Sequence, residues 1–89
     1  MRPQDILKYE LIGLTIKVTG ARNPSIIGMR GTIVHETRNT LKVRTDAGEK
    51  TLVKNQVTLA TNVNSMAVEV DGALLVGRPE ERLKKKHKP

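Results

Sequence analysis

The most constraining feature of this chain is a succession of short alternating apolar and polar runs with almost no room between them. LTIKV (Leu14 to Val18) sends Leu14, Ile16 and Val18 one way and Thr15 and Lys17 the other. TLKVRT (Thr40 to Thr45) repeats the pattern, with Leu41 and Val43 inward and Lys42 and Arg44 outward. Period-two alternation over such lengths specifies half-buried β-strands. GTIVHE, KTLV, VTLAT, AVEV and ALLV read as further strands. Turn formers separate them: TRN at Thr37 to Asn39, DAG at Asp46 to Gly48, and Asp71-Gly72, which predicts a hairpin between AVEV and ALLV. About six or seven strands with short connections predict a mainly β fold, a small Sm-like or SH3-like antiparallel barrel. Closing the sheet hides the edges that a short β protein must protect.

The barrel is predicted over residues 14–77. Ahead of it, RPQDILKYELIGL predicts a helix over residues 1–13, with Pro3 at its first position, Asp5 at its positive end and Gly13 closing it. Ile6, Leu7 and Leu11 form an apolar stripe that packs on the domain or docks a partner. Residues 78–89, RPEERLKKKHKP, read as a short helix or a disordered basic tail.

An 89-residue chain makes one small domain. Its formal net charge of +7 points to a polyanionic partner. Candidate RNA-contacting residues are Lys17, Arg22, Arg30, Arg38, Lys42, Arg44 and Lys54 in the barrel and its loops, and Arg78, Arg82, Lys84, Lys85 and Lys86 in the tail. A membrane surface fits less well, because the basic tail lacks interleaved large apolar residues. Tyr9 is the one aromatic residue, so base stacking has no platform and the expected contact is to backbone and folded shape. The absence of cysteine excludes disulfides and thiol chemistry. No apolar run approaches a signal sequence or membrane span, which predicts a soluble cytoplasmic protein.

Protein-based catalysis finds little support, and no catalytic or metal-binding residue is assigned. His35 lies in a strand and His87 among lysines, neither at metal-ligand spacing. Glu69 and Asp71 share a strand face but read as solvated hairpin residues. SIIGMRG (Ser25 to Gly31) contains the Gly-x-x-Gly pattern with which KH domains clamp single-stranded RNA. Its flanks exclude a KH domain: Pro24 breaks any preceding helix, and TIVHET that follows is β-branched. The stretch predicts a loop feeding a barrel strand. Gly28 and Gly31 allow the turn and a close backbone approach, and Arg30 is held at the loop tip.

Three blocks carry a family resemblance: ELIGL, NPSIIGMRGTIVHETRNTL and VDGALLVGRPEERLKKK. Together they resemble the archaeal ribonuclease P protein component 1 family, related to a eukaryotic subunit shared by ribonuclease P and ribonuclease MRP. The resemblance covers nearly the whole chain. It implies an Sm-like fold and a place in the ribonucleoprotein that removes the 5′ leader from precursor tRNA. It further implies that the RNA subunit carries the chemistry with Mg²⁺, and that a zinc-ribbon protein subunit is a partner, contacted through the N-terminal helix. A ribosomal protein with a small SH3-like barrel is the alternative that also predicts RNA binding.

Overall fold

Each alternating run forms a strand with its apolar side inward. In the computed structural model, residues 10–63 and 65–77 are described. The strands are β1 (Thr15–Ala21), β2 (Arg30–Glu36), β3 (Thr40–Thr45), β4 (Gly48–Val53), β5 (Val57–Val63) and β6 (Met66–Asp71). They form one antiparallel sheet in the order β4-β3-β2-β1-β5-β6. Ile16 and Val18 of β1, Ile33 of β2, Leu41 and Val43 of β3, and Leu59 of β5 are buried in a single core. No described helix is long and apolar enough to cross a membrane.

Strand positions follow the sequence closely, with one exception. ALLV is not a seventh strand: residues Gly72–Leu75 form a 3₁₀ turn. Asp71 caps it, its Oδ1 accepting a hydrogen bond from the Ala73 N–H at 3.0 Å. The predicted hairpin at Asp71-Gly72 is therefore absent. β5 and β6 join one turn earlier, where Val63 pairs with Met66 and Ser65 takes a positive φ of 66°. Gly72 serves close packing instead. A Cβ there would collide with the carbonyl oxygens of Lys54 and Val57.

The predicted N-terminal helix falls mostly on residues outside those described, Ile6 and Leu7 among them. Where the chain enters the described region it is not helical. Leu11 is 1% exposed and belongs to the core, so it is not available as a docking residue. The Leu14 N–H donates to the Leu11 carbonyl, closing a turn, and the Gly13 N–H donates to the Ile33 carbonyl at 2.8 Å.

Two irregularities in the ladders shape the interior. The register shifts in β1 between Val18 and Gly20, and in β2 between Ile33 and His35. The β2 shift matters more. Strict alternation from Ile33, which faces inward opposite Val43, would turn Glu36 to solvent. One extra residue reverses the sense of the remaining strand. His35 is exposed and Glu36 faces inward, opposite Leu41.

Glu36 turns inward to meet Lys54. The sequence reading placed Lys54 among the RNA contacts, as a basic residue in a connecting loop. The structure overturns this: Lys54 is 0% exposed. Its Nζ donates to Glu36 Oε2 at 2.8 Å and to the carbonyl oxygens of Thr37, Arg38 and Gly77 at 2.7, 3.2 and 3.0 Å. A buried ammonium is tolerable only with a counter-charge and saturated donors, and both are present. Its backbone takes part too, the Lys54 N–H donating to the Asn39 carbonyl at 2.8 Å.

These bonds define the closure of the fold. Lys54 follows β4 at one edge of the sheet, and Gly77 follows β6 and its 3₁₀ turn at the other. Among the described residues no ladder joins β4 to β6. The curled sheet is instead fastened by Lys54 reaching Gly77, by the Gly77 N–H donating to the Arg38 carbonyl at 2.8 Å, and by Gly72 seated on the backbone of residues 54 and 57.

Lys54→Met should cost about 3–5 kcal/mol, because it takes the ammonium away from the buried Glu36 carboxylate and from the carbonyls of Thr37, Arg38 and Gly77. Glu36→Leu should cost a similar amount. In urea unfolding the double variant should lose less than the sum of the singles yet remain below wild type, since the carbonyls still lack the ammonium.

Candidate nucleic-acid interface

The outward positions of β1, β2 and β3 build a cationic surface row by row. Lys17 of β1 sits directly opposite Arg30 of β2. On the next outward row Thr15 faces Thr32, and Thr32 in turn faces Arg44 of β3. Beyond the β2 irregularity, His35 faces Lys42. Lys17, Arg30, Lys42 and Arg44 are all exposed. Four candidates separated by up to 27 positions in sequence thus share one face of the sheet.

Arg30 reaches this face by a different route from the one expected. The SIIGMRG stretch is not a loop holding Arg30 at its tip. Pro24–Ile26 form a 3₁₀ turn, with Asn23 Oδ1 accepting from the Ser25 N–H at 3.1 Å and the Ser25 hydroxyl at 2.8 Å. The turn folds back on β1: the Gly28 N–H donates to the Val18 carbonyl at 2.7 Å, and the Val18 N–H donates to the Met29 carbonyl at 2.8 Å. Gly28 has φ +95°, a conformation that side chains disfavour. Gly31 is the close approach, since a Cβ there would strike the Arg44 carbonyl and the Val43 side chain. The two glycines have separate tasks, and the outcome is that Arg30 opens a strand beside Lys17.

Lys17 and Arg30 form a like-charged cross-strand pair. Among the described residues neither has an ion-pair partner, whereas Arg44 has Glu49 at 3.8 Å across the β3–β4 ladder. Opposed like charges on a sheet work against its stability. An arrangement that costs stability alone and gains from an anion is the expected signature of a phosphate-contacting surface.

The other candidates are dispersed. Arg22 lies just past β1, its N–H donating to the Gln56 carbonyl at 3.0 Å. Arg38 lies in the β2–β3 turn, where its carbonyl serves the Lys54 network. Neither belongs to the Lys17–Arg30 rows. Arg78, Arg82, Lys84, Lys85 and Lys86 lie outside the described residues. Glu36 was missed because an acid ending a strand ordinarily marks the solvent side. Its inward turn depends on the ladder shift in β2, which the sequence does not display.

If the Lys17–Arg30 juxtaposition carries repulsion, reversing one charge should stabilise the free protein. Lys17→Glu is expected to raise the unfolding free energy by roughly 0.5 kcal/mol at low ionic strength. The gain should shrink when urea melts are repeated in high salt.

Comparison with known proteins converges on one family. Residues 4–85 match the family described as Ribonuclease P/MRP, subunit p29. The chain is 44% identical over 87 residues to the Ribonuclease P protein component 1 of Methanocaldococcus jannaschii, covering 97% of this chain and 92% of that protein. It is 44% identical over 86 residues to the protein of the same name from Thermofilum pendens, covering 94% and 92% respectively. Among solved structures, that of Mth11, titled a homologue of human RNase P protein Rpp29, superposes with a TM-score of 0.58 at 41% identity over 83% of this chain and 97% of that one. With the curled six-stranded sheet accounted for and the match running through nearly its whole length, the chain belongs to the ribonuclease P/MRP subunit p29 family.

Proposed function

We propose that this protein is an RNA-binding, noncatalytic subunit of ribonuclease P, supporting RNA-catalysed removal of the 5′ leader from precursor tRNA. Membership of the p29 family carries the assignment to the complex. The outward rows holding Lys17, Arg30, Lys42 and Arg44 support direct contact with the RNA. Each cation can neutralise a phosphate and release the counterions condensed there, so affinity comes from charge and position. With no aromatic residue on this face among the described residues, such a surface holds a folded RNA in place.

Catalysis is assigned to the RNA subunit, together with Mg²⁺ bound on it. Among the described residues no three His, Cys, Asp or Glu side chains gather as a metal-binding group, and no residue of this chain is assigned to the ion. A zinc-ribbon protein subunit is the proposed protein partner and precursor tRNA the substrate of the assembled enzyme, in the cytoplasm. Leu11 is spoken for by the core. Ile6 and Leu7 are the remaining candidates for that contact.

Reconstitution with and without this subunit, scored for precursor-tRNA cleavage at low Mg²⁺, tests the assignment. Omission should slow cleavage, and an unchanged rate argues against it. For the RNA surface, alanine at Lys17, Arg30, Lys42 or Arg44 should lower affinity for the ribonuclease P RNA. Each should reduce the slope of log affinity against log salt by about one. Lys54→Met should leave the slope unchanged in whatever fraction remains folded.

A further inference from the structure

Resting on the RNA-binding reading above, we propose that a shallow trough across β2, β1, β5 and β6 holds one unpaired RNA nucleotide. In this arrangement Lys17 and Arg30 take its phosphate, and the Glu69 carboxylate reads an amino group on its base.

The trough follows from the register. One outward row runs Arg30, Lys17, Ala60, Glu69 across four strands. The adjacent row places Asn62 opposite Ala67. These residues line a single depression, floored by alanine where the neighbouring positions carry longer side chains. Two exposed cations stand on one wall and one exposed carboxylate on the other. Glu69 has no ion-pair partner among the described residues, just as Lys17 and Arg30 have none.

The separation suits a nucleotide. Lys17 and Glu69 lie two strands apart, so their backbones are roughly 10 Å from each other. No ion pair joins the two walls among the described residues, and the spacing is of the order of the span from a phosphate to the Watson–Crick edge of its own base. A surface meant only for phosphates gains nothing from a carboxylate in the same row, because Glu69 repels the backbone it would face. A carboxylate accepts hydrogen bonds from the N4 amino group of cytosine, and from the N1–H and N2 amino group of guanine. Uracil offers it a carbonyl oxygen beside a single N–H. The edge is available only where the base is unpaired, so the ligand is a bulged, looped or terminal nucleotide. The flat floor of Ala60 and Ala67 lets the base lie against the sheet without an aromatic platform.

The test uses the full chain and two single-stranded RNA probes of about ten nucleotides, one all cytidine and one all uridine, in low salt. The cytidine probe should bind at least about fivefold more tightly, the lower end of what one well-made base contact supplies. Glu69→Gln should abolish the preference while retaining the fold, and Glu69→Asp should keep part of it. Lys17→Ala and Arg30→Ala should weaken both probes alike. Equal affinity of the wild-type chain for the two probes overturns the proposal, as does a preference that survives Glu69→Gln. Binding of both probes that is indifferent to Lys17→Ala and Arg30→Ala removes RNA from this face altogether. Loss of assembly with another ribonuclease P protein on Glu69→Lys, without any preference between the probes, assigns the trough to a protein contact and likewise overturns the proposal.

Discussion

The structure depends on one buried ammonium. Lys54 sits where the two edges of the curled sheet come together, and its Nζ is shared by Glu36 and by carbonyls from the β2–β3 turn and the end of the domain. Hydrophobic burial drives the sheet to curl, but burial has no direction. The ammonium supplies direction. It requires specific acceptors at specific places, and they come from two distant parts of the chain, residues 36–38 and Gly77. The irregularity in β2 delivers the carboxylate, the 3₁₀ turn after β6 delivers the Gly77 carbonyl, and Gly72 lets that turn come close enough.

This division of labour leaves the outside of the sheet free. Because closure is managed from within, the outward Lys17 and Arg30 of β1 and β2 take no part in it. They carry like charges side by side, at some cost to the folded state. A closed β4–β6 ladder would have achieved the same shape through backbone bonds. Fastening the edges with a side chain also leaves a marker of family membership. The ETRNTL and VDGALLVG segments, which carry the resemblance, contain Glu36, Thr37, Arg38, Gly72 and Gly77, all participants in the seam.

Much of this was legible in the sequence, and the failures have physical causes. β3 reads directly because its alternation is clean and both flanking turns announce themselves. ALLV does not, since four consecutive apolar residues fit a buried strand and a buried turn of helix equally well. What decides between them is Asp71, whose side chain caps the turn. Lys54 was misread because lysine is almost never fully buried, and nothing in KNQ distinguishes a loop lysine from a core one. Its acceptors are three backbone carbonyls, which no sequence pattern displays, and a glutamate whose inward turn depends on a ladder shift. The outward places of Lys17, Lys42 and Arg44 followed from their phase in the strands, whereas the pairing of Lys17 with Arg30 did not. A loop tip was expected from the glycines, but the chain folds back through Gly28 to begin β2.

The seam also bears on how the domain is made. Residues from Leu11 to Val63 could assemble five strands around much of the core as they leave the ribosome. They would still hold a lysine with no Gly77 carbonyl to complete its shell and no 3₁₀ turn to cover it. Until the last segment arrives, the ammonium must either stay hydrated or be buried with an acceptor missing. The seam is therefore complete only when residues 72–77 are in place, and the two edges of the sheet close together with them.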